Sequence, residues 1–149
     1  MRYIRIIFLL CFILPTLIFS QGFSEEINCN ECLDISIYYR NNIDSLSISD
    51  ISNFLLCFDN QCSNNVELAE FKNGFIFILL KEKTDLTLSA FEKFKIQLPW
   101  DNICKEISQP VFEWIDVKET LRKVEDVSEY DKVKKDVIKA LEEAVEKSN

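Results

Sequence analysis

The sequence contains no histidine and has only two glycines and three prolines among its 149 residues. Without histidine, the chain cannot build a Ser-His-Asp or Cys-His nucleophile system, a His-liganded zinc site or an imidazole acid–base group. Gly22 and Gly74 stand far apart, so the chain has neither a Walker loop nor a G-x-G-x-x-G turn for phosphate binding. These absences exclude most familiar hydrolases and nucleotide enzymes. We therefore expect a protein that is not an enzyme and that uses no cofactor.

Basic residues are outnumbered, with 17 Lys and Arg against 25 Asp and Glu, a net charge of −8 and a pI near 4.6. Nucleic-acid binding requires clustered Lys and Arg to neutralise phosphates, so it is not expected here. Residues 21–80 contain nine acidic and two basic residues, and such a field attracts a basic partner. The alternative is that the acidity serves only solubility.

The first 20 residues have the pattern of a secretory signal peptide. Two arginines precede an apolar run over residues 6–19, which ends at the small residue Ser20. We predict cleavage after Ser20, a single domain over residues 21–149, and export to the periplasm or the cell exterior without stable membrane insertion. The alternatives are an uncleaved membrane anchor and lipidation at Cys11.

Hydrophobic spacing predicts helices along most of the chain. Residues 28–40 also alternate like a strand, but helix is favoured there, and residues 75–80 are apolar enough to lie in the centre of the fold. The predicted helices cover residues 28–40, 47–58, 64–80, 86–98, 116–124 and 128–144, with caps at Ser47, Asn64, Asp116 and Ser128, and a short turn is predicted at residues 103–107. Short helices with short polar links predict an all-α fold, either an orthogonal helical bundle or an irregular helical-hairpin stack.

The stretch FDNQCSNNVELAEFKN at residues 58–73 resembles small exported proteins of Bacteroidetes. The resemblance covers residues 51–80, and the glutamine directly after Ser20 is similar to the same group. It implies an exported helical protein, and it implies no catalytic residues.

Five cysteines remain after the predicted cleavage, and in an oxidising compartment they are expected to pair and leave one over. Proximity favours a disulfide between Cys57 and Cys62. Cys29 and Cys32 have the C-x-x-C spacing of thiol–disulfide exchange, but their acidic neighbours would raise a thiolate pKa, so structural disulfides are favoured. The alternatives are redox chemistry at Cys29 and Cys32 and a four-thiol zinc site that adds Cys57 and Cys62.

Residues 59–70 have the length of a calcium-binding loop between two helices. Gln61 and Asn64 stand where such a loop needs an acid and a glycine, so the favoured interpretation is a capped helix start without a metal. The calcium alternative uses five side chains with oxygen ligands: Asp59, Ser63, Asn65, Glu67 and Glu70.

These features favour a small exported binding protein that acts by stoichiometric contact with a protein partner. Its sharpest version is a periplasmic inhibitor or immunity protein that blocks a basic effector. The candidate contact residues are Asp59, Glu67, Glu70, Trp100 and Trp114, although core packing is an alternative for the tryptophans. The other function classes are a thiol-active or metal-responsive exported protein and a structural component of the cell envelope.

Overall fold

A computed structural model describes residues 28–59 and 64–147. The described residues form seven α helices and one short 3-10 turn, with no strand, so the predicted all-α class is confirmed. The helices are α1 (Cys29–Asn41), α2 (Ile48–Leu56), α3 (Val66–Glu82), α4 (Thr84–Phe94), α5 (Trp100–Ile107), α6 (Val117–Asp126) and α7 (Asp131–Lys147), and the 3-10 turn (Ile43–Ser45) precedes α2.

Local side-chain caps start several of these helices, as the sequence predicts. Ser47 and Asp50 form the predicted capping box, in which each side chain accepts a hydrogen bond from the other residue's backbone N–H, at 3.2 and 2.8 Å. The hydrogen bonds from Ser47 lower the pKa of the Asp50 carboxyl. Asp116 caps α6 by accepting from the Glu119 N–H at 2.9 Å.

Several predicted helix boundaries were wrong, including those at Asn64, Ser128 and Leu98. The cap of α3 is Asn65 rather than Asn64, because the Asn65 side chain accepts from the Leu68 N–H. The last helix begins at Asp131 rather than after Ser128, because Tyr130 has a φ of 65° and breaks the path between α6 and α7. The helix predicted to reach Leu98 ends at Phe94.

Helix α3 is the centre of the fold, because it packs against α1, α4, α5 and α6. Its second half is buried around most of its circumference, which confirms the central position predicted for residues 75–80. Helix α7 closes the other side of the bundle by packing on α4, α5 and α6. The rest of the fold is therefore arranged around α3.

A disulfide between Cys32 and Cys57 ties α1 to the end of α2, with a Cα–Cα distance of 5.7 Å. Both cysteines are buried against Leu68 of α3. The predicted pairing of Cys57 with Cys62 was therefore wrong, because helix packing brings Cys32 next to Cys57 across 25 residues of sequence. Cys29 is also disulfide-bonded, and Cys104 has a free thiol.

The predicted signal peptide and its cleavage site lie outside the described residues. Within residues 28–59 and 64–147, every helix is too short or too polar to cross a membrane.

We expect the double substitution Cys32→Ser with Cys57→Ser to lower the free energy of unfolding by about 2–4 kcal/mol, because it releases the closure of a 25-residue loop. Urea denaturation of the unreduced protein measures this loss, and Cys104→Ser is the matched control that removes a thiol without a cross-link. Peptide mapping that found Cys57 bonded to any cysteine other than Cys32 would contradict the pairing.

Candidate functional site

The link between α5 and α6 places two aromatic side chains against α3. The rings of Phe112 and Trp114 stack on each other, with centroids 5.4 Å apart and planes inclined by 22°. Both rings lie over Gly74, where a Cβ atom would stand 3.1 Å from Phe112 Cε2 and 3.3 Å from Trp114 Cζ2. Gly74 therefore allows the link to approach the helix more closely than a larger residue would permit.

Asn73, the residue before Gly74, fixes this link by hydrogen bonds. Its side chain is fully buried, and its amide Nδ2 lies 3.0–3.1 Å from the carbonyl oxygens of Glu106 and Gln109 and from the Glu106 carboxylate. Its Oδ1 accepts from the Val111 N–H at 2.9 Å. One side chain of the central helix therefore holds both the end of α5 and the start of the aromatic link.

Trp114 remains largely exposed although its position is fixed. The side chain is 58% exposed, and Val111 on the same link is 56% exposed. The indole packs against Phe112 and Gly74 on one side, and its other side is exposed to solvent. Trp114 is therefore exposed to solvent in a fixed position.

Trp100, the other tryptophan predicted as a contact residue, makes its contacts with other side chains of the fold. Its Nε1 donates to the Asp136 carboxylate at 3.0 Å, and its ring packs edge-on against Phe91. The Lys95 ammonium lies 4.8 Å from the ring centroid and donates to the same carboxylate at 2.7 Å. The hydrogen bonds from Lys95 and Trp100 lower the pKa of Asp136. Trp100 therefore joins α5 to α7 and is not brought together with Trp114.

Glu67 and Glu70 lie on the same face of α3 as Gly74. They precede Gly74 by seven and four residues, which are one-face spacings on a helix, and both are exposed. Glu70 is therefore about 6 Å along the helix axis from the point where Trp114 covers Gly74. We call the surface formed by Glu67, Glu70, Val111, Glu113 and Trp114 the acidic-aromatic strip.

Asp59 is half-buried and acts on a buried cation rather than on the strip. The Lys72 ammonium is buried beneath the end of α2, where it donates to the Cys57 carbonyl at 2.9 Å and lies 5.0 Å from the Phe58 ring centroid. Burial lowers the pKa of Lys72, and the charges of Glu106 and Asp59 oppose that shift. Lys72 is thereby withdrawn from the surface, and the cation that remains beside the beginning of α3 is the Arg40 guanidinium of α1, which lies 5.6 Å from the Phe71 ring centroid.

Four of the five side chains of the calcium alternative lie in the described residues. The Asn65 side-chain oxygen accepts the capping hydrogen bond of α3, and Glu67 and Glu70 lie in the first two turns of that helix, which is the capped helix start that the sequence favours. Ser63 lies outside the described residues. Among residues 28–59 and 64–147, no group of three Cys, Asp or Glu side chains is arranged to hold a metal ion.

The thiols offer little for exchange chemistry. Cys32 is bonded to Cys57 and Cys29 is also in a disulfide, so the C-x-x-C pair is not an exchange disulfide in this structure. Cys104 lines an open cavity of about 430 Å³ between α5 and α7. Burial, aided by Asp136, raises the pKa of its thiol to about 11. Its thiolate, the nucleophilic form, is scarce near neutral pH.

The sequence led to Glu67, Glu70 and Trp114 as proposed contact residues, and it did not lead to Asn73 and Gly74, which hold Trp114 against the helix that carries the two glutamates. The available signal was a polar residue followed by glycine inside an otherwise apolar helix, since glycine there weakens a helix unless close packing requires it. Comparison of the chain with known protein families, curated protein sequences and solved structures finds no significant match. The geometry of the strip therefore carries the functional interpretation.

We expect Asn73→Ala to lower the free energy of unfolding by about 1–3 kcal/mol, because it leaves the part-buried Val111 N–H and the Gln109 carbonyl without the partner that Asn73 supplies. The same change should free the aromatic link, so a glutamate-specific protease should cleave after Glu113 faster than in the unaltered protein. Asn41→Ala, at an exposed position of α1, is the control and should change neither property. Unchanged cleavage in Asn73→Ala would show that the hydrogen bonds do not hold the link.

We expect Cys104 to react with iodoacetamide at pH 8 about a hundredfold more slowly in the folded, unreduced protein than after unfolding in urea. The reason is that its pKa is raised from 9.0 to about 11, and the rate should rise about tenfold per pH unit until that pKa is reached. Mass spectrometry of the alkylated peptide measures both rates. Equal rates in the folded and unfolded protein would contradict the suppressed thiolate.

Proposed function

We propose that this protein is a small, exported, non-catalytic binding protein that contacts a basic protein partner through the acidic-aromatic strip. The observation that carries the proposal is Trp114, an exposed indole held over Gly74, one helical turn from the exposed Glu70. A large aromatic side chain beside acidic groups is the chemistry of a protein-recognition surface.

The fixed position of Trp114 supports a role in binding. Tryptophan is enriched among the residues that dominate interface energies, because it buries a large area with few rotatable bonds. Phe112 and Gly74 already restrict the indole in the free protein, so little conformational entropy remains to be lost when a partner covers it.

The acids of the strip support a basic partner. Glu67, Glu70 and Glu113 are exposed, while Lys72, the nearest lysine along the start of α3, is buried against the end of α2. Like charges that line one surface attract an oppositely charged partner over several ångströms, and this steering weakens as salt is added.

Export is part of the proposal, and the disulfides support it. Disulfides persist in oxidising compartments and are rare in the reducing cytosol, and the structure contains the Cys32–Cys57 disulfide together with a second one at Cys29. In its sharpest form the protein is a periplasmic inhibitor or immunity protein that blocks a basic effector. The similarity to exported Bacteroidetes proteins stays a prediction.

The test is affinity capture of the tagged protein, without residues 1–20, from the envelope fraction of its source, followed by mass spectrometry. We expect one stoichiometric partner of basic pI, retained at low salt and released at high salt. Glu67→Lys with Glu70→Lys should weaken binding of that partner at least about tenfold, and Trp114→Ala should weaken it about thirtyfold.

The matched control is Glu142→Lys with Glu146→Lys on α7, which makes the same change in net charge at exposed positions of a helix that contributes no residue to the strip. It should leave affinity within about twofold. A partner that binds the strip variants and the control variants equally would contradict the proposal, and co-fractionation with a large envelope assembly would favour a structural role instead.

A further inference from the structure

Beside Trp114, on the side away from Glu70, a cavity of about 180 Å³ opens between α3 and the start of α6. It adjoins the acidic-aromatic strip, because Trp114 forms one of its walls. Its apolar lining comes from Phe77, Ile78, Trp114 and Ile115, and its remaining lining residues are Lys81, Glu82, Asp116 and Thr120. The size suits one large apolar side chain rather than a separate small-molecule ligand.

We propose that this cavity receives an apolar anchor side chain of the partner, and that lysine or arginine residues flanking this anchor pair with the carboxylates of the cavity mouth and the strip. The inference rests on the proposed function. It adds what the protein recognises in its partner, which is an extended segment with one apolar anchor among cationic residues.

The interior of the cavity favours an apolar occupant because its hydroxyl and ammonium groups already have partners. The Thr120 hydroxyl donates to the Asp116 carbonyl at 2.9 Å. The Lys81 ammonium is paired with the Glu119 carboxylate. A polar ligand would find these groups engaged, whereas an apolar side chain gains by leaving water.

The charges at the mouth favour cationic flanks. The hydrogen bond with the Glu119 carboxylate raises the pKa of Lys81, and the charges of Glu119, Glu82 and Asp116 raise it further. A second ammonium, that of Lys123, donates to the Lys81 carbonyl at 2.8 Å.

Glu113 adds a fourth carboxylate next to Trp114. The helical spacing places Lys118 on the side of α6 away from Thr120. Carboxylates are therefore in excess around the opening.

The spacing along α3 defines the length of the segment. The strip begins at Glu67 and the cavity ends at Lys81, fourteen residues later on the same face of the helix. That distance is about 21 Å along the helix axis, which about six residues of extended chain cover. The anchor lies at one end of the segment, and the cations that face Glu67 and Glu70 lie at the other.

The test uses three blocked seven-residue synthetic peptides. The first has a phenylalanine near one end and four lysines, the second has alanine in place of the phenylalanine, and the third has glutamate in place of every lysine. Binding to the unaltered protein is measured by calorimetry at low salt and by NMR shifts of the Trp114 indole N–H. We expect the phenylalanine peptide to bind about tenfold more tightly than the alanine peptide, and the glutamate peptide not to bind.

Two variants separate the anchor from the charge. Trp114→Ala should abolish the preference for phenylalanine over alanine, while Glu67→Lys with Glu70→Lys should weaken both cationic peptides and keep the preference. Ile96→Ala is the control, since Ile96 is an exposed apolar residue outside the cavity lining, and it should change nothing.

Each of the other outcomes contradicts one part of the inference. Equal binding of the phenylalanine and alanine peptides to the unaltered protein overturns the anchor but leaves the charge-based proposed function in place. Equal binding of the glutamate and lysine peptides overturns the cationic flanks. If neither cationic peptide binds at low salt, both the inference and the proposed function are wrong. The central comparison uses the unaltered protein, so a folding defect does not affect it.

Discussion

The Asn73 side chain is the contact on which the surface of this protein depends. It lies fully buried in the central helix and serves the end of α5 and the backbone of the aromatic link at once. Only a side chain with both an amide donor and a carbonyl acceptor at this length meets those groups, because aspartate at neutral pH lacks the donor and leucine lacks both. Because Asn73 satisfies these part-buried backbone groups in one geometry, its hydrogen bonds favour one position of the link over α3.

Gly74 allows the aromatic link, whose backbone Asn73 holds, to pack closely on α3. With the backbone of the link fixed, the Phe112 and Trp114 rings descend onto α3 at the one position where no side chain stands in the way. A glycine inside a helix costs stability in isolation, and here the cost is offset by the packing of two aromatic rings. Rigidity and exposure of Trp114 thus have the same origin.

Structural features set by residues a few positions apart were predictable from the sequence. Features that depend on tertiary packing were not. The Ser47–Asp50 capping box and the Asp116 cap follow from side chains that reach only three residues along the chain. The start of α7 was missed because it depends on the positive φ of Tyr130, which the preference of Ser128 for caps does not reveal.

The same distinction applies to the residues of the candidate site. Glu67 and Glu70 were proposed as contact residues from their charge, and Trp100 and Trp114 were proposed together, because the packing that separates the two tryptophans cannot be read from the sequence. Packing against α7 occupies one tryptophan, and the link leaves the other exposed. The Cys32–Cys57 pairing also depends on how α1 and α2 meet, which sequence proximity does not encode.

The half-buried Cys104 bears on how the chain matures. An odd thiol is a hazard during oxidative folding, because a thiolate attacks existing disulfides and scrambles them. Once α5 and α7 have packed, burial keeps this thiol protonated, with a pKa of about 11. The packing of a helix pair that contains neither Cys32 nor Cys57 therefore suppresses the thiolate that would exchange with their disulfide.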